Sequence, residues 1–182
     1  MHRGNSAGQR RARIVRVTTV RSAGLLLYRF TPRLEVWLAH MGGPFWSRKD
    51  AAAWSIPKGL YDASEDPLAA ALREFEEEIG VPAPTGRFEL LGEFRQPSGK
   101  VVTAYAGEFD IRVERVVSNT FALEWPKGSG KIQDFPEIDD ARWFPLGVAR
   151  TKLVKGQRPL LDALRSRLEG DGRLPPVDGA PE

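Results

Sequence analysis

Glutamates crowd one short segment of the chain. Apolar side chains recur every three or four residues between positions 66 and 79, which predicts an amphipathic helix. On that helix Glu74, Glu77 and Glu78 share a face, because residues three and four apart are neighbours. Like charges at this spacing cost on the order of 0.2–0.5 kcal/mol per pair, and Glu78 stands where a compensating lysine would follow Glu74. The uncompensated charge indicates a bound cation, although the triplet taken alone is more often an ordinary acidic face exposed to solvent.

The rest of the composition narrows the chemistry to carboxylates and a hard metal ion. The sequence contains no cysteine, which excludes disulfides, thiolate nucleophiles and cysteine-ligated metals. Its two histidines, His2 and His40, are too few for a three-histidine zinc site. Clustered carboxylates without such partners prefer hard, oxygen-seeking cations such as Mg²⁺ or Mn²⁺.

The spacing around the carboxylates resembles a known family motif. Gly59, five residues, Glu65, seven residues and then residues 73–81 (REFEEEIGV) match the Nudix box, Gly-x5-Glu-x7-Arg-Glu-U-x-Glu-Glu-x-Gly-U, in which U is bulky and apolar. Phe75 occupies a position where an aliphatic residue is commoner. The box covers 23 residues, and the elements around it extend the resemblance to the Nudix hydrolase superfamily over residues 18–168.

This resemblance implies a reaction and a set of roles. Nudix enzymes hydrolyse a nucleoside diphosphate linked to another moiety, X, using a divalent metal. By analogy, Gly59, Glu74, Glu77 and Glu78 hold Mg²⁺ or Mn²⁺, and Glu74 and Glu77 take part in catalysis. Arg73 lies one helical turn before Glu77 and can hold that carboxylate in place. The metal lowers the pKa of bound water and neutralises charge that develops on the phosphoryl oxygens.

Nudix enzymes often recruit another acid from the loop before the last strand. Glu137 is our choice, because it precedes Trp143 by six residues, a spacing that resembles the family's loop acid and strand tryptophan. Pro136 also restricts the backbone next to it. We expect Glu137 to bind the metal or to activate the water. The other acids of this region are Glu124, Asp134, Asp139 and Asp140.

Substrate identity is less constrained by the sequence. The segment 54–59 (WSIPKG) is similar to the entry into the box in enzymes acting on nucleoside triphosphates and dinucleoside polyphosphates, and it predicts that Lys58 binds a phosphate. Trp125, and with it Trp46, could stack on a base. Pro97 lies near a family marker for ADP-ribose hydrolysis, so an ADP-ribose-type activity stays open, as does a non-catalytic domain that binds nucleotides or RNA. Residues 118–126 resemble a bacterial branch of predicted nucleotide pyrophosphohydrolases.

The elements that must position these residues alternate between strands and helices. Apolar runs predict strands at 23–30, 34–40, 88–95, 101–111 and 141–145, with a brief extended piece at 54–59 and a long loop at 117–137. Asp66 and Pro67 are start signals for the first helix, and Gly80 and Pro82 are stop signals. A second helix is predicted at 158–168. The fold class is α/β (α+β), and the resemblance implies an α/β/α sandwich with a mixed sheet between helices.

Charge is distributed unevenly along the chain. Residues 1–21 hold six arginines and no acid, which leaves 21 basic and 24 acidic residues in the remainder. We therefore expect a basic, disordered arm at residues 1–17, one domain at 18–168 and a disordered tail at 169–182. The arm could contact RNA, although a solvated extension is the more common reading. The lack of an apolar leader or spanning segment favours a cytoplasmic protein without membrane contact, either a monomer or a homodimer, that acts on a nucleotide.

Overall fold

The protein is described from a computed structural model, in which residues 19–62 and 64–175 are placed. The predicted arm at residues 1–17 and the end of the predicted tail, residues 176–182, lie outside the described residues. The strands within the described part are β1 (Arg21–Phe30), β2 (Leu34–Met41), β3 (Trp54–Ser55), β4 (Lys58–Leu60), β5 (Glu89–Arg95), β6 (Val101–Glu108), β7 (Thr120–Glu124), β8 (Ile132–Pro136) and β9 (Ile138–Pro145). The helices are α1 (Pro67–Ile79), α2 (Leu146–Lys152) and α3 (Arg158–Gly170), with a 3₁₀ turn at Lys155–Gln157.

A mixed sheet forms the centre of the domain. Its main order is β3-β2-β1-β6-β5, while β4 pairs with β1 and β9 pairs with β2. Strands β1 and β6 run parallel, and the other pairs are antiparallel. Lys58 lies opposite Gly24 and Gly59 lies opposite Ala23. The beginning of the box is therefore fixed to the first half of β1.

Two apolar cores lie on the two faces of this sheet. On one face α1 buries Phe75 and Ile79 against strand residues that include Leu25 and Trp37. On the other face α3 buries Leu160 and Leu164 among strand residues such as Leu26 and Val36, and α2 contributes Ala149. Strand side chains alternate between the two faces, so a strand with apolar residues on both sides needs a cover on each. This confirms the predicted α/β/α sandwich with a mixed sheet.

Helix α1 begins and ends where its sequence signals indicate. The Asp66 side chain accepts a hydrogen bond from the Ala69 backbone N–H at 2.9 Å, and proline opens the first turn. At the other end Gly80 adopts a left-handed conformation with φ of 84°, and its N–H donates to the Glu76 carbonyl. Glycine adopts this conformation without a steric penalty. Both ends of the carboxylate-bearing helix are thus fixed locally.

The second half of the chain departs from the sequence prediction in several places. The predicted loop at 117–137 contains the β7–β8 hairpin, and the following strand begins at Ile138 instead of position 141. Helix α2 was not predicted. Helix α3 continues to Gly170, and Leu174 packs against the core, although the predicted tail began at position 169. None of the helices in the described part is long and apolar enough to cross a membrane.

Candidate active site

The site begins where α1 passes over β4. Gly59 lies so close to the Glu74 carboxylate that a Cβ atom added to the glycine would overlap it. The Glu74 side chain is only 14% exposed. Glycine is therefore required at position 59 by close packing between loop backbone and helix carboxylate, and not by an unusual backbone angle.

Arg73 is the internal counter-ion of the box. Its guanidinium donates to both oxygens of Glu65 at 3.1 and 3.2 Å, to Glu74 at 2.7 Å and to Glu77 at 3.3 Å. It also donates to the Leu60 carbonyl at 3.2 Å, which ties the helix to β4. These hydrogen bonds, first those to Glu65 and then those to Glu74, raise the pKa of Arg73 above its usual value. The expected contact with Glu77 is therefore present.

This arrangement corrects the expectation of an uncompensated, solvated carboxylate face. Arg73 already neutralises part of the charge on Glu74 and Glu77. Glu78 points inward, and burial raises its pKa to about 7, against the opposing effects of the Lys58 charge and backbone N–H. That N–H donates to the Glu78 carboxylate at 2.8 Å. Of the three carboxylates only Glu77, with 42% of its side chain exposed, faces solvent broadly. Helical periodicity predicted that the three carboxylates share a face, but it could not predict how deeply each of them is buried.

Glu137 reaches the same place from the other side of the chain. Asn119 links the two segments, because its backbone N–H donates to the Glu77 carbonyl at 3.2 Å, and the charge of Glu137 contributes to the raised pKa of Glu78. The backbone around it is fixed, because Glu137 donates to the Asn119 carbonyl at 2.9 Å and accepts from the Gly42 N–H at 2.8 Å. The structure thus brings the predicted loop acid to the box, while its chemical role stays a prediction.

The competing acids of this region have other partners or lie elsewhere. Glu124 accepts from the Gly130 N–H at 2.6 Å at the far end of the hairpin. Asp139 lies 2.6 Å from His40 Nδ1. Asp140 accepts from the Ala141 N–H and pairs with Arg142, and Asp134 is exposed on β8.

Lys100 is a residue of the site that sequence reasoning missed. It is half-buried just before β6, where the Gln96 backbone N–H donates to its carbonyl and closes the turn. Burial lowers the pKa of Lys100, the charge of Lys58 lowers it further, and the carboxylates of Glu78 and Glu74 oppose these effects. Two lysines thus lie within electrostatic range of the box. From the sequence, the Pro-Ser-Gly turn before Lys100 predicted only a hairpin. No local pattern indicates that Lys100 lies within electrostatic range of Lys58.

The two candidate stacking residues are found in different surroundings. Trp125 lies at the end of β7 with its ring edge-on to Phe45, at a centroid distance of 5.4 Å. Trp46 packs against the core, with the Lys49 ammonium 4.7 Å from its ring centre. Trp125 lies at the turn end of the hairpin whose base is bonded to Glu77 and Glu137, whereas Trp46 covers the core.

The donor groups fit a hard divalent cation. Glu74, Glu77, Glu78 and the Gly59 carbonyl provide only oxygen ligands, and the close contact of Gly59 with Glu74 leaves room for nothing larger than a hydrogen on the glycine. As they stand, no three histidine, cysteine, aspartate or glutamate side chains in residues 19–62 and 64–175 are arranged to hold a metal ion. Arg73 holds two of these carboxylates, since it donates to Glu74 at 2.7 Å and to Glu77 at 3.3 Å.

Comparison with known proteins decides the family. Residues 18–164 match the model of the NUDIX domain. The chain belongs to the Nudix family. With its box complete, it is a Nudix hydrolase that acts on pyrophosphate bonds.

Curated relatives and solved structures agree with this assignment. A protein of Acidiphilium cryptum named RNA pyrophosphohydrolase is 34% identical over 137 residues, which cover 72% of this chain and 79% of the relative. A Rhodospirillum rubrum protein of the same name is 31% identical over 127 residues, 65% of this chain and 72% of that protein.

Among solved structures, the NUDIX domain of Shewanella oneidensis NrtR complexed with ADP ribose has a TM-score of 0.58 at 19% identity, covering 83% of this chain and 89% of that one. A C. elegans Ap4A hydrolase binary complex has a TM-score of 0.56 at 21% identity, and the match covers 82% of this chain and 98% of that one. At these identities the two likenesses show a shared fold.

Proposed function

We propose that this protein is a Mg²⁺- or Mn²⁺-dependent pyrophosphohydrolase whose substrate carries a nucleoside triphosphate or dinucleoside polyphosphate group, including the 5′-triphosphate end of an RNA. One observation carries the proposal: the Lys58 backbone N–H donates to the Glu78 carboxylate at 2.8 Å, which joins this lysine to the carboxylates of α1. The charge of Lys58 acts on the pKa of Glu78. The carboxylates of Glu78 and Glu74 act on the pKa of half-buried Lys100. A polyphosphate chain needs metal-binding carboxylates for the reacting phosphates and cations for the others. The names of the two relatives, both RNA pyrophosphohydrolases, favour the same class.

The residues of the box would hold the metal and the water. Glu74, Glu77, Glu78 and the Gly59 carbonyl are the ligand set, and the ion supplies charge neutralisation on the phosphoryl oxygens and a more acidic water. Glu137, close to Glu78, takes the proton from the attacking water or completes the ligand set. Water then attacks phosphorus, the phosphoanhydride bond breaks, and the leaving phosphate takes the electron pair of that bond.

Arg73 serves as a positioning residue in this scheme. It fixes the rotamers of Glu74 and Glu77 and anchors them to Glu65 and to the Leu60 carbonyl. Bidentate donation from an arginine gives directional hold that a lysine cannot supply.

The two lysines and one tryptophan would bind the remainder of the substrate. Lys58 and Lys100 bind the phosphates that the metal does not bind, as point charges. Trp125, at the turn end of the β7–β8 hairpin, stacks on a base beyond the nucleotide held at the box. Burial of Lys100 strengthens its attraction for a phosphate because less water screens the charge.

A substrate panel with metal controls tests the proposal. The purified chain is incubated with nucleoside triphosphates, dinucleoside polyphosphates, ADP-ribose and 5′-triphosphate RNA in Mg²⁺, Mn²⁺ or EDTA, and released phosphate and nucleotide products are measured. We expect metal-dependent hydrolysis of the first two classes and of the RNA. Turnover of ADP-ribose alone would move the protein to the sugar-nucleotide class, and binding without turnover would make it a non-catalytic domain.

The matched variants Glu77→Gln and Glu76→Gln complete this test. Both remove one carboxylate charge from neighbouring exposed positions of α1, but only Glu77 contacts Arg73 and belongs to the proposed ligand set. We expect Glu77→Gln to lose most activity and Glu76→Gln to retain it, with similar melting temperatures. Full activity in EDTA, or a wild-type rate for Glu77→Gln, would overturn the proposal.

A further inference from the structure

The β7–β8 hairpin is attached directly to the catalytic carboxylates. At its base the Asn119 backbone N–H donates to the Glu77 carbonyl at 3.2 Å, and the Asn119 carbonyl accepts from the Glu137 N–H at 2.9 Å. The Gly42 N–H donates to the Glu137 carbonyl at 2.8 Å, which joins the loop after β2 to the same point. The hairpin and the loop 42–49 therefore form one wall of the active site.

The two faces of this hairpin differ in character. The antiparallel register pairs Phe121 with Phe135 and Leu123 with Gln133, and the Trp125 N–H continues the ladder to the Lys131 carbonyl at 2.9 Å. Directly opposed residues share a face, so one face carries the aromatic side chains and a lysine. The other face carries the alternate residues of both strands: Ala122, Glu124, Ile132 and Asp134.

The loop 42–49 packs on the aromatic face and leaves one ring open. Phe121 lies against Gly43, where an added Cβ would come within 2.7 Å of the ring, and the φ of Gly43 is 83°. Two residues further on, Phe45 meets Trp125 edge-on at 5.4 Å, and 56% of Phe45 remains exposed. We use the name hairpin platform for Phe45 and Trp125 together with four cationic residues of the same two segments: Arg48, Lys49, Lys127 and Lys131.

The two segments that carry this aromatic pair also carry four cationic residues. Lys127 and Lys131 are exposed on the hairpin, and Arg48 and Lys49 are exposed on the loop. These four cations outnumber the two acids of the hairpin, Glu124 and Asp134, and Asp50 beside the loop is paired with Lys152. Phe45 is exposed and Trp125 is half-buried. Accessible aromatic rings on segments that also carry cations are the combination that binds single-stranded nucleic acid, by stacking on bases and attracting phosphates.

We propose that the hairpin platform binds the single-stranded RNA segment that follows the 5′-triphosphate of the substrate. This inference rests on the proposed function, because it assigns the partner of the same site. The five residues of β7 span about 16 Å at ~3.3 Å per residue, so the platform lies beyond the first nucleotide of a substrate held at the box. Stacking requires unpaired bases, and this favours single strands over duplexes.

Kinetics on a short and a long substrate test the inference. A 5′-triphosphate RNA of ten nucleotides is compared with GTP for the full chain, its Phe45→Ala/Trp125→Ala double variant and the control Val148→Ala. Val148 is an exposed apolar residue on α2. We expect the ratio of kcat/KM for RNA to kcat/KM for GTP to fall at least tenfold in the double variant and to stay unchanged in the control.

Two further variants separate stacking from charge and from misfolding. Trp125→Phe retains a ring and should restore most of the ratio when Phe45 is intact, with an unchanged melting temperature. Lys127→Gln combined with Lys131→Gln should reduce the salt dependence of RNA turnover, because fewer counter-ions are released on binding. An unchanged ratio in the double variant overturns the inference.

Direct binding distinguishes failure of the inference from failure of the proposed function. A fluorescein-labelled single-stranded RNA with a 5′-hydroxyl end is titrated with each protein in EDTA, and anisotropy is recorded. We expect about tenfold weaker binding for the double variant.

If this loss occurs in a protein that hydrolyses nothing, the platform stands and the enzymatic proposal fails. If the protein hydrolyses its substrates in a metal-dependent way but the double variant binds RNA as tightly as the full chain, the enzymatic proposal stands and the platform inference fails. If turnover of a dinucleoside polyphosphate falls as much as that of RNA, the platform holds a second nucleoside and the RNA assignment is wrong.

Discussion

Helix α1 and the β7–β8 hairpin both reach the active site, but different constraints place them there. The carboxylates of α1 are separated by three and four residues, so helix geometry alone aligns them. Glu137 depends on backbone hydrogen bonds to Gly42 and Asn119, which lie far from it in sequence. Trp125 depends on its bond to Lys131 across the hairpin and on contact with Phe45 of a distant loop. The helix is thus specified locally, whereas the hairpin is specified by its docking. We assign the chemistry to the helix and the choice of substrate to the hairpin.

The largest expected effect tests whether the hairpin side also contributes to chemistry. Glu137→Gln should lower kcat by about 10²–10⁴, the usual scale for an acid–base group, because it removes the carboxylate near Glu78. Glu124→Gln is the matched control, since that side chain bonds to Gly130 away from the box. Steady-state kinetics and melting temperatures measure both. A drop below threefold for Glu137→Gln together with a larger loss for Glu124→Gln would move the role to Glu124.

The next largest effect is expected at the contact between Gly59 and helix α1, where the packing is tight. In Gly59→Ala the added Cβ would overlap the Glu74 carboxylate and push it from its place. Displacement of about 1 Å at a catalytic group can cost about 10²-fold in rate, so we expect a loss of that order in kcat. Gly147→Ala, a position in α2 with open space around it, is the control and should be neutral. Equal activities of the two variants would show that Glu74 can relocate without consequence.

Lys100 offers a third test, on the opposite side of the box from the hairpin. In Lys100→Gln we expect KM for a nucleoside triphosphate to rise about tenfold, corresponding to ~1.4 kcal/mol of lost binding, with a smaller change in kcat. Lys100→Arg should retain most of the affinity. Arg33→Gln removes a charge from the exposed turn between β1 and β2 and should change nothing. A fall in kcat without a change in KM would contradict a role in substrate binding.

The smallest effect is expected from the N-terminal arm. Deletion of residues 1–16 should leave kcat/KM for nucleoside triphosphates within a few-fold, since these residues precede β1 and show no apolar periodicity. A hundredfold loss, which corresponds to ~2.7 kcal/mol, would show that the arm belongs to the site. If only RNA turnover falls, and its salt dependence with it, the arm acts as an electrostatic clamp that extends the hairpin platform.

Sequence reasoning succeeded where signals are short-range. The cap at Asp66, the stop at Gly80 and the apolar stripe ending at Ile79 all act within a few residues, and the structure confirms each. It missed the β7–β8 hairpin, although Phe121 and Leu123 alternate with smaller or polar residues. Five-residue strands give a weak periodic signal, and the glycine- and lysine-rich turn between them is typical of a loop.

The amino-acid sequence by itself determined the family, the sandwich of helices around a mixed sheet and the carboxylates to which we assign the chemistry. These follow from hydrophobic periodicity and from spacing within 23 residues. Tertiary structure alone decided that Glu78 is buried with its pKa raised to about 7, that Arg73 acts as the internal counter-ion of the box, and that Lys100 and Glu137 approach the box from either side. Burial and electrostatic proximity depend on which distant segments pack together, and no local pattern encodes that packing.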